Sequence, residues 1–383
     1  MTYLQLFLVI GLPLMGLVYA LLGGIKLTLA ERAALDEAQV GRLVSGFGMM
    51  VGPTILACGF LTDSLGRKPV FMAGAVMVVV AIYMLATTRA FKGALIGVLL
   101  LGAGWSATIN VANVLMWVSV ADPKKLMGAI NAYDCVFGLG AFLTPVVLAL
   151  VLKRFQYTGG LLLLATISAV PIAMGAFADM YPPAPPSTAS GGLSDLLTSA
   201  GFWLPALAFL FYAPLETSVS GWATTIVSSQ GGGSKLSAAA LSGFWLCFTG
   251  SRFVMALIGQ MEKVTLKEQV VLQILSIVCV ALMLGIAALR GRGTAVGLVL
   301  ACGLVFGPIF PALMTALRHG VPQGAQGRAI GFFFAFASVG WTVIPMMIGN
   351  VTRRSSIQRG FLVAAASAAV FVGFVVARGF TIK

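Results

Sequence analysis

The fold is decided by a segment that the chain contains twice: residues 127–154 read MGAINAYDCVFGLGAFLTPVVLALVLKR, and residues 327–354 read GRAIGFFFAFASVGWTVIPMMIGNVTRR. The copies align without a gap at an offset of 200 positions (345 − 145, proline to proline), with shared glycine, proline and terminal basic positions. Such self-similarity indicates a chain built from two related halves, a plan common among secondary transporters. The copies also differ, since Asp134 of the first corresponds to Phe334 of the second.

The composition places the chain in a membrane. It is 59% hydrophobic and 9% charged, a balance that soluble domains do not have. Apolar stretches of about 20 residues recur, each long enough to cross a hydrocarbon core of about 30 Å. Because backbone groups in lipid must be satisfied internally, we predict an all-α integral membrane protein. Its twelve predicted transmembrane helices are residues 4–28, 39–61, 69–88, 94–119, 127–151, 158–180, 202–228, 237–260, 268–289, 295–317, 326–349 and 358–378.

The two halves are separated by a linker. Residues 181–200 lose the apolar character and concentrate Pro, Gly and Ser. We therefore predict an N-terminal six-helix bundle at residues 1–180 and a C-terminal six-helix bundle at residues 201–383. The same offset pairs several other positions of the halves, namely Gly59 with Gly259, Gly52 with Arg252 and, at a neighbouring offset, Gly102 with Gly303.

Charge and metal-ligating residues exclude several classes of function. The net charge of +13 could suggest nucleic acid, but the cations are scattered over short loops and form no patch, so we predict no nucleic-acid partner. The chain has one histidine, His319, and its five cysteines all fall within predicted helices, so no metal or other cofactor is expected. Basic residues divide almost evenly between the two sides, so charge alone leaves the orientation open.

The loop after the second predicted helix carries a motif. Residues 59–69 read GFLTDSLGRKP, in which a glycine permits close helix approach, a second permits a tight turn and the acid and arginine can form a clasp near helix ends. This stretch resembles the signature of the major facilitator superfamily, with Thr62 at a position that is usually smaller. The matching residues are Gly59, Asp63, Gly66, Arg67 and Lys68.

The resemblance implies twelve helices in two six-helix bundles, the major facilitator fold, and a cytoplasmic gate clasp between Asp63 and Arg67. It also implies a multi-pass protein of the inner membrane with both termini and the linker in the cytoplasm, and a monomer. The second half keeps only a partial copy of the signature, at residues 259–263.

Few charges fall well inside the predicted helices, and these are candidate functional groups because a charge at mid-membrane costs at least about 2.5–3.5 kcal/mol. They are Asp134, Glu216 and Arg252. Glu216 lies on a stripe of polar residues at a spacing of four, which places them along one helix face. The stripe is Tyr212, Glu216, Ser220, Thr224 and Ser228.

Each intramembrane charge allows two interpretations, one functional and one structural. Glu216 is either a ligand or proton carrier in a cavity, or a structural carboxylate tied to Arg252 or to backbone groups. Arg252 either pairs with Glu216 or meets an acidic substrate. Asp134 and Asn131, with the pair Asn110 and Asn113, either converge on a polar ligand or hold helices together.

Four further stretches narrow the resemblance to the fucose permease-like branch. They are Tyr212 to Glu216 with the following Trp222, residues 307–311, which read GPIFP, Gly340 through Pro345, and Asn131 to Gly140-Ala141. That branch implies import of a sugar-like solute with protons or sodium. However, residues 108–113 read TINVAN and lack the acid that fucose permeases carry there. Coupling then falls to Asp134 or Glu216, or the protein is a uniporter or exporter.

We therefore expect a secondary active transporter that moves a small, sugar-like polar solute across the membrane by alternating access, coupled to protons or sodium. The alternatives are a proton-coupled exporter of amphiphilic drugs or metabolites, and an organic-anion transporter, which Lys26 in the first helix keeps open. An enzyme is not expected, because the chain lacks a histidine-based catalytic or metal cluster.

Overall fold

Long α-helices make up the computed structural model, which describes residues 2–177, 193–261 and 267–381. Short 3₁₀ turns at Pro123–Lys125 and Gln323–Ala325 precede two of them. The helices are α1 (Tyr3–Arg32), α2 (Glu37–Ser64), α3 (Arg67–Thr87), α4 (Phe91–Val118), α5 (Leu126–Ser168), α6 (Val170–Phe177), α7 (Leu193–Thr198), α8 (Ala200–Ser228), α9 (Ser234–Gln260), α10 (Glu268–Ala287), α11 (Arg292–Phe306), α12 (Ile309–His319), α13 (Gln326–Arg354) and α14 (Ile357–Thr381).

The helices confirm the prediction of a twelve-helix membrane fold. Within the described ranges, 11 helical stretches are long and apolar enough to cross a membrane, and one of them, residues 123–176, is bent. Its bend is at Gln156, whose φ of 58° and ψ of 179° are not helical. That stretch therefore supplies the two spans predicted at residues 127–151 and 158–180, the last of which ends beyond the described residues. Together these give twelve spans.

Local sequence signals begin the first two helices. Thr2 accepts a hydrogen bond from the backbone of Gln5, whose side chain bonds back to the backbone of Thr2, and Asp36 and Gln39 do the same at α2. These capping boxes satisfy backbone donors that a helix start leaves without partners. The chain can therefore turn within four residues, 33–36, between α1 and α2.

The described residues form two compact units. Unit 1 comprises Met1–Ala121, Tyr133–Gly191 and Gln323–Ala335, and unit 2 comprises the rest, so the starts of α5 and α13 are grouped apart from the remainder of each helix. The division into residues 1–180 and 201–383 stays a prediction. Most of the predicted linker, and residues 262–263 of the partial second signature, lie outside the described residues.

Equivalent glycines make equivalent contacts within each unit. In unit 1, Gly140 of α5 lies against the backbone of Pro13 in α1, and in unit 2, Gly340 of α13 lies against that of Leu210 in α8. Likewise, Gly102 of α4 packs on α2, and its counterpart Gly303 of α11 packs on α9. Small residues let helix backbones approach closely in lipid. The shared glycines are thus contact points of one repeated helix arrangement.

Candidate functional site

The break between α11 and α12 is the centre of the polar cluster in unit 2. Gly307 and Pro308 separate the two helices, and Pro311 has no N–H to donate to the carbonyl of Gly307 four residues earlier. The carbonyl of Phe306, the last residue of α11, also lies at a helix end, where carbonyls lack intrahelical donors. The sequence GPIFP therefore leaves two consecutive carbonyls that need donors from elsewhere.

Tyr212 of α8 supplies the first donor. Its side chain is fully buried, and its hydroxyl donates to the carbonyl of Phe306 at 2.7 Å. The same hydroxyl lies 3.2 Å from Oε2 of Glu216, one turn further along α8. Because a tyrosine hydroxyl has one proton, it donates to one of these oxygens at a time. When it donates to Phe306, Glu216 can bond to Tyr212 only as the donor, that is, in its protonated form.

Arg252 of α9 supplies the second donor. Its side chain is buried, with 8% of its surface exposed, and its Nε donates to the carbonyl of Gly307 at 2.9 Å. The guanidinium carbon also lies 4.2 Å from the centre of the Phe248 ring, a cation–π contact. No ion pair within 4 Å joins Arg252 and Glu216 in the described residues. The structure therefore places both predicted charges at the helix break without the direct pair that the sequence left open.

Two other members of the polar stripe of α8 form hydrogen bonds within their own helix. Ser220 donates to the backbone carbonyl of Glu216 at 2.9 Å, and Ser228 to that of Thr225 at 3.2 Å. Trp222 is half-buried and lies beside Gly349 of α13. Of the predicted stripe, Tyr212 and Glu216 are therefore the members with contacts at the helix break.

The amides of α4 lie in unit 1 and make structural contacts. Asn110 is fully buried, accepts from the hydroxyl of Thr62 at 3.1 Å and donates to the carbonyl of Gly327 at 3.2 Å. This side chain thus joins α4 to α2 and to the start of α13, as expected of interhelical glue. Asn113 donates to Ile109 of its own helix at 2.8 Å, and its Oδ1 is buried without a hydrogen-bond partner in the described part of the chain.

The polar pair of α5 is grouped with different units. Asn131 belongs to unit 2 and donates to the carbonyl of Met127 at 2.8 Å, while Asp134 belongs to unit 1 and is 6% exposed. Both side chains are buried, as candidate binding groups inside a membrane would be. The convergence of these two with Asn110 and Asn113 on one ligand stays a prediction.

The signature residues lie at the first turn of α13, within unit 1. Oδ1 of Asp63 accepts from the backbone N–H of Gly327 at 2.8 Å, and Oδ2 accepts from the backbone N–H and the Nε of Arg328, each at 2.9 Å. Backbone N–H groups at a helix start lack intrahelical acceptors and carry positive partial charge. The Asp63 carboxylate therefore satisfies the start of α13 and pairs with its arginine.

Arg67 contacts the same turn of α13, through Gln326. It is buried and donates to Oε1 of Gln326 at 3.0 Å. The family resemblance implies a clasp between Asp63 and Arg67, whereas the ion pair of Asp63 is with Arg328. Because Asp63 ends α2 and Arg67 begins α3, both can face the incoming helix. Arg328 and Gln326 had no sequence signal beyond their position at the start of a repeated helix.

The signature glycines meet their predicted roles, and Lys68 is half-buried. A Cβ on Gly59 would lie 2.5 Å from the carbonyl oxygen of Gly327, so only glycine permits this approach of α2 to α13. Gly66 has a φ of 95°, which a side chain would strain, and it allows the turn from α2 into α3. In unit 2, a Cβ on Gly128 would lie 2.7 Å from Cα of Gly259, so the paired glycine Gly259 has a similar contact.

Comparison with known proteins gives a family, a fold and one curated relative. The sequence profile of the Major Facilitator Superfamily matches residues 8–345. The fold is similar to that of the E. coli fucose:proton symporter FucP (TM-score 0.80, 18% identity, 99% of both chains). It is also similar to that of the human organic anion transporter MFSD10, or TETRAN (TM-score 0.79, 16% identity, 97% of this chain and 99% of that one). At these identities the structural likeness concerns the fold alone.

The curated relative is the multidrug resistance protein MdtL of Klebsiella pneumoniae (strain 342). It is 26% identical over 179 residues, which is 44% of this chain and 44% of that protein. The chain thus matches less than half the length of this relative.

Proposed function

The chain belongs to the Major Facilitator Superfamily and is therefore a membrane transporter rather than an enzyme; we propose that it is a proton-coupled secondary transporter of a small polar solute. Glu216 is the proposed proton carrier. Asp134, an intramembrane acid with a buried side chain, is proposed as a further solute or proton contact. Transport proceeds by alternating access, the mode of transporters built from two repeated halves.

The hydrogen bonding of Tyr212 is the observation that supports this proposal. Its single proton faces two acceptors, the carbonyl of Phe306 and the carboxylate of Glu216. Protonated Glu216 lets both hydrogen bonds form at once, and ionised Glu216 leaves one acceptor without the proton. The two protonation states thus make different contacts at the break between α11 and α12. A ligand or proton shifts a conformational equilibrium only through such differential contacts.

The direction of transport has two candidates. The fold likeness to a fucose:proton symporter supports import of a sugar-like solute together with protons. The similarity to a multidrug resistance protein favours the alternative, a proton-coupled exporter of amphiphilic compounds. A proton gradient drives solute inward in the first case and outward in the second, so the two are separated by one transport measurement.

The same proposal includes the setting of the protein. We propose a multi-pass protein of the inner membrane with both termini in the cytoplasm, acting as a monomer with a small solute and a proton as its ligands. A sodium ion in place of the proton is tested alongside. Accessibility of single cysteines added at the two termini to an impermeant thiol reagent, in intact cells and after lysis, would check the orientation.

Reconstituted vesicles test the proton role of Glu216. Gradient-driven uptake of fucose and other hexoses, and efflux of the cationic dye ethidium, are measured with an imposed pH gradient and, separately, with a sodium gradient. Glu216→Gln keeps a hydrogen-bonding side chain but cannot exchange a proton. We expect it to lose pH-driven accumulation while retaining solute exchange between equal concentrations.

Glu31→Gln is the matched control, because Glu31 is an exposed glutamate near the end of α1. It should accumulate solute like the unmodified protein. Full pH-driven accumulation by Glu216→Gln would overturn the proposed role. Accumulation driven by sodium and indifferent to the pH gradient would replace the proton with sodium.

A further inference from the structure

The guanidinium of Arg252 is held rigidly on two sides. Its Nε is fixed by the carbonyl of Gly307 at 2.9 Å, and its face lies over the ring of Phe248 at 4.2 Å. A hydrogen bond in the plane and a ring against the face together set both the position and the tilt of a planar group. Arg252 is therefore presented in one orientation, although it lies in the membrane-spanning part of α9.

The other edge of this guanidinium makes no hydrogen bond within the part of the chain that the structure describes. A guanidinium has five N–H donors, four of them on its two terminal nitrogens. Within the described residues, Arg252 makes one hydrogen bond, through Nε, and no ion pair within 4 Å. With only 8% of its surface exposed, it has little water to take the place of those partners. A buried charge with no direct ion pair is costly to retain, which points to a role beyond the hydrogen bond to Gly307.

The position is also particular to one half of the chain. The offset of 200 positions pairs Arg252 with Gly52, so the repeated scaffold does not require a cation there. The equivalent helices α2 and α9 otherwise share their close-contact glycines, Gly59 and Gly259. The packing contacts that the two helices share therefore do not account for the arginine.

From these observations we infer that Arg252 is a carboxylate-binding site, and that the transported solute is a small organic carboxylate. The free edge of a fixed guanidinium matches the two oxygens of a carboxylate, which it binds through two parallel hydrogen bonds. This inference rests on the proposed transport function and names its substrate class. A neutral sugar hydroxyl could also accept a hydrogen bond from this edge, but it carries no negative charge to pair with the arginine.

Glu216 then couples the carboxylate to the proton. Through Tyr212, Glu216 is attached to the carbonyl of Phe306, next to the carbonyl of Gly307 that holds Arg252. Ionised Glu216 and a bound carboxylate are like charges that compete for one arginine, whereas protonated Glu216 is neutral. The carboxylate therefore binds together with a proton on Glu216. One anion and one proton move in the same direction, so the transport step carries no net charge.

Matched ligand pairs test the site on the purified full chain. Thermal unfolding is followed with glucuronate against glucose, and with benzoate against benzamide, at pH 6 and pH 8 and at constant ionic strength. A ligand that binds the folded state raises the unfolding temperature. We expect at least one of the carboxylates to raise it, more strongly at pH 6, and neither neutral partner to do so.

Variants assign the effect to the arginine. Arg252→Lys keeps the charge but loses the planar fork, and the apparent Kd should rise about tenfold. Arg252→Gln should lose the carboxylate effect altogether, and Arg290→Gln, at an exposed arginine, should leave it intact. Glu216→Gln should keep carboxylate binding but lose its dependence on pH. Size-exclusion chromatography shows whether each variant is folded, and the comparison of carboxylate with amide needs no variant.

Equal stabilisation by carboxylates and their neutral partners, or an unchanged carboxylate effect in folded Arg252→Gln, would overturn the inference. Proton-driven uptake of a neutral sugar, without any carboxylate effect, would remove this inference and leave the proposed function standing. Carboxylate binding that depends on Arg252, with coupling unchanged in Glu216→Gln, would support the site and remove the proton role of Glu216.

Discussion

The start of α13 and the break between α11 and α12 are both ends of helices, and charged side chains serve both, but in opposite ways. At the start of α13, backbone donors lack partners, and Asp63 accepts two of them while pairing with Arg328. At the break, backbone acceptors lack partners, and Tyr212 and Arg252 donate to them. In the first cluster, both carboxylate oxygens of Asp63 accept hydrogen bonds from the protein. In the second, the terminal nitrogens of Arg252 and one oxygen of Glu216 make no hydrogen bond within the described residues. A satisfied cluster holds helices together, and a partly satisfied one can bind a ligand.

The largest effect should follow removal of the carboxylate from the satisfied cluster. Asp63→Ala leaves Arg328 and two backbone N–H groups of α13 without their acceptor. Breaking a fully buried pair costs about 3–5 kcal/mol, and this part-buried pair should cost up to about 3 kcal/mol. Asp63→Asn keeps one acceptor and should lose less. Thermal unfolding in detergent measures both, and Asp63→Ala with unchanged stability would show that this cluster does not hold α13.

The opposite sign is expected in the partly satisfied cluster. Arg252→Met replaces a buried charge that has no ion pair in the described residues with an apolar chain of similar length. Removing the cost of burying this charge should offset the loss of the hydrogen bond to the carbonyl of Gly307, which is worth about 1 kcal/mol. We expect the ligand-free variant to unfold at the same temperature or higher. A clear loss of stability would mean that Arg252 is structural, and the contrast between the two clusters would fail.

Backbone approach should matter equally in the two halves. Gly59→Ala places a Cβ 2.5 Å from the carbonyl oxygen of Gly327, and Gly128→Ala places one 2.7 Å from Cα of Gly259. Overpacking of this kind costs about 1–3 kcal/mol, because the helices must separate. Unfolding temperatures should fall in both variants. Gly48→Ala serves as the control, since a Cβ there meets nothing within 4 Å.

The smallest change should come from the tyrosine hydroxyl. Tyr212→Phe removes the donor to Phe306 and the contact to Glu216, and the loss of one buried hydrogen bond costs about 1 kcal/mol. We expect a small decrease in unfolding temperature but a clear change in the pH dependence of solute uptake. An unchanged pH dependence of solute uptake would show that Tyr212 takes no part in the proton step.

Much of the fold could be predicted, because the signals for helices, bends and breaks lie within short stretches of the sequence. The length and apolarity of twelve stretches predict the helices, and Pro and Gly mark where they bend or break, as at residues 307–311. The offset of 200 positions predicts which glycines correspond, and the structure gives those glycines corresponding contacts. One bend had no comparable signal, since Gln156 is neither proline nor glycine.

The partners of the charges could not be predicted in the same way. The signature suggested that Asp63 faces Arg67, but its ion pair is with Arg328, 265 residues further along the chain. The alternatives for Arg252 were a carboxylate of the protein or a substrate, and a backbone carbonyl exposed by a helix break was not among them. For Asn110 the sequence leaves a ligand contact and a helix–helix contact open, and its three hydrogen bonds to α2 and α13 favour the helix–helix contact.

The twelve helices, the two related halves and the acids and arginine within apolar segments can all be seen in the sequence. Hydrophobicity and periodicity are local properties, and the repeat is found by comparing one segment with another. The backbone groups that those side chains satisfy become known only when the helices are packed together. Hydrogen bonds require atoms within about 3 Å of each other, and residues as distant as Asp63 and Arg328 come that close only when the helices pack.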